Sequence, residues 1–205
     1  MRFRTTALVS TALIASLLLA GCAQNGKPGG MPGMDHGSTP MPSGSASASA
    51  QFNSADEMFV TMMIPHHQQA IDMADAILSK DGVDEQVLTL AQQIKDAQGP
   101  EIETMRGWLE DWGIRYNESS GGGMPGMDPG GMMSEKDMAA LETATGAEAA
   151  RLFLEGMIVH HQGAIDMAQT EVDSGQNPEA IELAQQVIDG QSAEIETMRA
   201  ILERL

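Results

Sequence analysis

The segment Met62–Ala74 reads Met-Met-Ile-Pro-His-His-Gln-Gln-Ala-Ile-Asp-Met-Ala, and it returns as Gly156–Ala168, Gly-Met-Ile-Val-His-His-Gln-Gly-Ala-Ile-Asp-Met-Ala. From the first histidine onward, His66–Ala74 and His160–Ala168 agree at eight of nine positions, and they hold four of the five histidines. At about 100° per residue, Phe59, Met62, Met63, His66, Ala70, Met73 and Ile77 share one helical face. The second copy puts Phe153, Gly156, Met157, His160, Ala164, Met167 and Glu171 in the same register. His66 and His160 are therefore expected to point inward among sulfur and hydrocarbon. His67 and His161 lie about a quarter-turn round, toward a neighbouring helix.

Outward from this repeat, the pattern stays helical. Ser54 and Glu57 fit a capping box that opens a first helix, which runs to about Lys80 before Gly82 breaks it. Pro65 inside that helix predicts a kink or widened turn over 61–65. Asp84 caps a second helix over about 85–113, which Gly99-Pro100 is expected to bend or interrupt. A Gly/Met-rich loop occupies 117–133, Ser134 to Thr145 can form a short helix, and a longer one spans about 147–174. Asn177 caps the last helix, with Pro178 in its first turn. Glu101–Arg106, Glu-Ile-Glu-Thr-Met-Arg, returns intact as Glu194–Arg199. No strand pattern competes, so the fold class is all-α. Two repeated helical hairpins, in halves 53–116 and 134–205, form a four-helix bundle domain over 53–205.

The N-terminus has a different character. Arg2 and Arg4 precede an apolar run from Ala7 to Ala20 that is too short for a permanent span, so residues 1–21 read as an export signal. The run ends in Leu19-Ala20-Gly21-Cys22, which resembles the bacterial lipobox. In that pattern Cys22 is lipidated and anchors the exported chain to the extracytoplasmic face of the cell membrane. Cys22 is also the only cysteine, which excludes an intramolecular disulfide. Residues 22–52 form a Gly/Pro/Ser/Met tether with the composition of a disordered linker.

Composition narrows the function. The formal charge of −18 and an aromatic content of 3% argue against nucleic acid, which basic and stacking side chains recognise. Seventeen methionines in 205 residues is the anomaly. Methionine at helical spacing ordinarily fills gaps in a core. Each His-His pair, however, has Met63 or Met157 three residues before its inward histidine and Met73 or Met167 seven after. Di-iron bundles use Glu-x-x-His, whereas this chain offers Met-x-x-His. Neutral imidazole with thioether favours Cu(I), or Ag(I), over hard ions. Zinc prefers cysteine, histidine or carboxylate.

The candidate metal ligands are thus Met63, His66, His67, Met73, Met157, His160, His161 and Met167, with Met105 and Met198 from the second repeated segment. Glu101 and Glu194 could add carboxylate for Cu(II), although solvated helix faces are their simplest reading. Met31, Met34 and His36 in the tether, and Met124 and Met127 in the loop, are secondary candidates, and low-complexity drift explains them equally well. If the paired histidines are ordinary imidazoles, Cu(I) affinity should fall below about pH 6. Catalysis is not expected. A metal-dependent oxidoreductase or a metal-free structural lipoprotein are the alternatives to copper buffering.

The motif His-His-Gln-x-Ala-Ile-Asp-Met-Ala, followed by Glu-Ile-Glu-Thr-Met, resembles the domain of unknown function 305 (DUF305) family over about 53–205. The resemblance implies a ferritin-like helical bundle in exported bacterial proteins, with copper bound through Met and His in some members. By motif position it falls on Met63, His66, His67 and Met73, and on Met157, His160, His161 and Met167. The halves depart from each other where Pro65 faces Val159 and Met62 faces Gly156, so they need not bind alike.

Overall fold

The computed structural model describes residues 51–117 and 130–205, which form five helices and, among the described residues, no strand. These are α1 (Ser54–Leu78), α2 (Glu85–Asp111), the short α3 (Glu135–Thr143), α4 (Gly146–Ser174) and α5 (Pro178–Leu202). No described helix is long and apolar enough to cross a membrane.

The helix starts follow capping chemistry, with one correction. The N-cap of α1 is Asn53 rather than Ser54. Its side chain accepts from the amides of Ala55 and Asp56 at 2.6 and 3.2 Å, and the Asn53 amide donates to the Asp56 carboxylate at 2.5 Å. That carboxylate also accepts from the amides of Gln176 and Asn177, the entrance to α5. Asp56 thereby links this cap to the second hairpin. Asp84 and Asn177 cap α2 and α5 as expected, and Ser134 caps α3 rather than opening it. Pro65 lies within an unbroken α1, and α2 runs without interruption through Gly99-Pro100.

Two hairpins result. α1 packs along α2, α4 packs along α5, and the hairpins meet chiefly where α1 lies against α4. Burial separates into two clusters. One joins Ala70, Met73 and Ile77 of α1 to Ala149, Phe153 and Met157 of α4, with Ile94 and Met198 from the outer helices. The other joins Phe59, Met63 and Ile64 to Ala164 and Ala168, with Met105, Leu109 and Val187. The late part of α1 thus meets the early part of α4, and the reverse, so these helices cross antiparallel with pseudo-two-fold symmetry. Each fully buried large aliphatic or methionine side chain contributes roughly 1.5–3 kcal/mol. Residues 66–67 and 160–161 fall between the clusters, and that waist holds the polar side chains.

Candidate metal centre

All four paired histidines are buried without measurable exposure. The rings of His66 and His160 meet at the waist with centroids 3.7 Å apart and planes inclined by 40°. The duplicated motif has folded so that its two inward histidines face each other across the crossing of α1 and α4. His66 donates from Nε2 to the carbonyl of Gly130 at 3.1 Å, which leaves its Nδ1 without a partner. Neither ring nitrogen of His160 has a hydrogen-bond partner.

Burial sets the charge state of this pair. Loss of hydration, with smaller repulsion from His67 and His161, pushes His66 down to about 3, against a small opposing effect of the Gly130 carbonyl. His160 is driven well below the ordinary imidazole range, first by burial and then by repulsion from the other three rings. The backbone of His66 opposes that shift without completing a hydrogen bond. Both rings are therefore neutral near pH 7, the form in which imidazole binds metal. The expectation of affinity falling below about pH 6 rested on ordinary imidazoles. In these two rings burial moves protonation below that range.

His67 and His161 turn outward from the crossing to the partner helix of their own hairpin. His67 Nε2 meets Glu101 Oε2 at 2.7 Å, and His161 Nε2 meets Glu194 Oε2 at 2.6 Å. Glu101 and Glu194 are therefore not merely solvated faces: each keeps about a quarter of its side chain exposed and points the rest at a histidine. In both pairs the histidine Nδ1 is buried and unpartnered. One turn earlier on the same helices stand Gln98 and Gln191, both buried, with unpartnered polar atoms. Sequence reasoning missed these glutamines. The signal was available, since each precedes its repeated glutamate by three residues.

The two copies differ where a strap crosses them. Residues 130–133 run over the waist into α3, with Gly130 and Gly131 at φ 65° and 77°, a conformation glycine adopts without strain. Gln69 clamps this strap, accepting from the Met133 amide at 2.7 Å and donating to the Met133 carbonyl at 2.9 Å. At the equivalent position of the second copy stands Gly163, and a Cβ there would lie 2.7 Å from the carbonyl carbon of Gly130. A Cβ on Gly156 would likewise come within 2.9 Å of the Met133 sulfur. Gln69 holds the strap, whereas Gly156 and Gly163 make room for it.

The family model for the domain of unknown function DUF305 matches residues 56–202. The chain belongs to the DUF305 family. A DUF305 fragment from Deinococcus radiodurans is 34% identical, with a TM-score of 0.65 over 75% of this chain and 98% of that one. A DUF305 protein from Streptomyces coelicolor is 32% identical, with a TM-score of 0.67 over 74% and 92%. CopM in its Cu(I)-bound form is 34% identical, with a TM-score of 0.60 over 73% and 96%, and it is also solved with Cu(II) and with silver. No curated protein matches the chain.

Within this DUF305 domain, Met63, Met73, Met105, Met157 and Met198 are all fully buried. Met63 and Met157 stand one turn before the facing histidines, on opposite sides of the waist, Met63 beside Met105 in one cluster and Met157 beside Met73 and Met198 in the other. Met167 is only partly buried. It lines a cleft of about 680 Å³ with Met58, Met62, Gly130, Gly163 and Glu171. Cys22, Met31, Met34, His36, Met124 and Met127 lie outside the described residues. Among the described residues no three His, Cys, Asp or Glu side chains gather as a ready metal cluster.

Proposed function

We propose that this DUF305 chain is an exported, lipid-anchored protein that sequesters or buffers copper, with Cu(I) favoured, through the His/Met faces of a ferritin-like four-helix bundle. The observation that carries the reading is the set of buried, unpartnered ring nitrogens: Nδ1 of His66, His67 and His161, and both nitrogens of His160. A buried polar atom without a partner destabilises the fold by about 1–3 kcal/mol unless something supplies the bond. Four such rings in one layer, at least two of them held neutral, with methionine one turn away on both sides, fit a soft monovalent cation.

The related CopM, solved with Cu(I), Cu(II) and silver, supports the same reading. In this scheme residues 1–21 direct export, Cys22 carries the lipid, 22–52 act as tether, and 53–205 hold the metal. Copper is cargo, and no turnover is assigned. The test is anaerobic Cu(I) competition titration of the wild-type chain against a variant with His66, His67, His160 and His161 all changed to Ala. Loss of the tight sites in a variant whose helical circular dichroism is retained is expected. A companion variant, Met63→Leu with Met157→Leu, keeps the core volume and should weaken Cu(I) binding while remaining folded. Unchanged affinity in both variants would sink the proposal.

A further inference from the structure

The two His–Glu pairs carry information that the ligand list does not. Each ring presents Nε2 to a carboxylate oxygen, at 2.7 Å for His67–Glu101 and 2.6 Å for His161–Glu194. A carboxylate oxygen only accepts, so the hydrogen lies on Nε2. Each Nδ1 is buried and has no hydrogen-bond partner, so it is the ring atom left uncommitted. The arrangement occurs twice, from α1 to α2 and from α4 to α5, although the sequence around the glutamates differs at Gly99-Pro100 and Ser192-Ala193.

We propose that Glu101 and Glu194 are positioning residues that lock His67 and His161 in the Nε2–H tautomer, leaving Nδ1 as the lone-pair donor that each offers to metal. The proposal rests on the copper reading above and deepens it. It reassigns the glutamates from possible ligands to carboxylates that act through a ring. Outer carboxylates of this kind hold ring orientation and raise the basicity of the ligating nitrogen, and their loss ordinarily weakens metal binding by about 10–100-fold.

The test uses the full chain with ¹⁵N-labelled histidine at pH 7.5, without metal and then with Cu(I) or Ag(I), both diamagnetic. Ring ¹⁵N spectra should show His67 and His161 as single Nε2–H tautomers before loading. On loading, the Nδ1 resonances should move while both Nε2–H signals persist. Glu101→Gln and Glu194→Gln should each blur the tautomer assignment of its own histidine and weaken Cu(I) binding about 10–100-fold, with the thermal midpoint of the metal-free chain little changed. An Nδ1–H tautomer, or loss of the Nε2–H signals on loading, would overturn the proposal, the latter by making Nε2 the ligand. Tight Cu(I) binding that both substitutions leave untouched would also overturn it while the copper reading stands. A wild-type chain that takes up no Cu(I) would instead bring down the copper reading, and the positioning role with it.

Discussion

Replacing Gly163 by Ala gives opposite results depending on whether the strap over the waist is part of the folded state. Gly163 lies inside α4, and in an open helix Gly→Ala stabilises by about 0.5–1 kcal/mol. Here the new Cβ would sit 2.7 Å from the Gly130 carbonyl carbon and 3.2 Å from Gly131 Cα, where ordinary contact begins at 3.4 Å. The strap must then withdraw by roughly 1 Å, because packed backbone cannot absorb the overlap. Withdrawal stretches the 3.1 Å bond from His66 to Gly130 beyond useful range and leaves a buried donor unpaired. That loss is worth about 1–3 kcal/mol, and residual crowding brings the expected destabilisation to about 2–4 kcal/mol. Gln69→Ala removes the two bonds that clamp Met133, for about 1–3 kcal/mol in total. Both changes loosen one segment, so the double variant should fall short of their sum by at least about 0.5 kcal/mol. Urea unfolding of the metal-free chain, followed by helical circular dichroism, measures all three. Gly190→Ala, in α5 with open space around its Cβ position, is the control and should stabilise. If Gly163→Ala stabilises as Gly190→Ala does, or if the double variant is fully additive, the strap reasoning is wrong.

Other perturbations test the charges. Burial and a neighbouring Asp56 push the Glu171 carboxyl up to about 8, so the folded state holds a proton that the unfolded state releases nearer 4.5. Stability should decline as pH rises through that window, and Glu171→Gln should remove the decline between pH 6.5 and 8.5, read from urea midpoints. The depressed His66 and His160 act with the opposite sign: the unfolded chain binds protons below about 6.5 that the folded rings refuse until about pH 3 for His66. In the Glu171→Gln background the metal-free chain should therefore lose stability steadily from pH 6.5 to 4.5, and a flat profile there would show that the rings are not buried as described. Cys22→Ser should move the protein from the membrane fraction to the soluble one, and retention in the membrane would contradict lipid anchoring.

Much of this arrangement was legible in the chain because the duplication repeats its chemistry at helical spacing. The inward face Phe59, Met63, His66, Ala70, Met73 and Ile77 is wholly buried, as the period required. What periodicity could not show is what happens between faces. It assigned Glu171 to the inward side of α4, but its partner Asp56 comes from the first turn of α1, and only the fold brings the two carboxyls together. The α1 cap was misplaced by one residue for the same reason. Asn53 and Ser54 are equally good caps locally, and the Asp56 that completes the Asn53 box also accepts from Gln176 and Asn177, a contact no local pattern records. Glu101 and Glu194 looked like solvent-facing charges because a helical wheel does not record which neighbour lies across the groove. The Gln69 and Gly163 mismatch carried no message in the chain because the segment that tells them apart arrives from elsewhere.

That mismatch follows from connectivity. Two hairpins related by a two-fold axis can share every residue only if whatever joins them also obeys the axis. One covalent linker cannot: turning the molecule over would demand a second linker on the opposite side. The single polypeptide therefore has a front and a back, and the crossing strap marks the front. Divergence at 62 and 156, and at 69 and 163, falls where that linker touches the repeats, and even the shared histidines differ in contact, since only His66 bonds to the strap. The first half has become the half that grips the linker and the second the half that yields to it. Exchanging the two in chain order would put the gripping side chain where the room is needed.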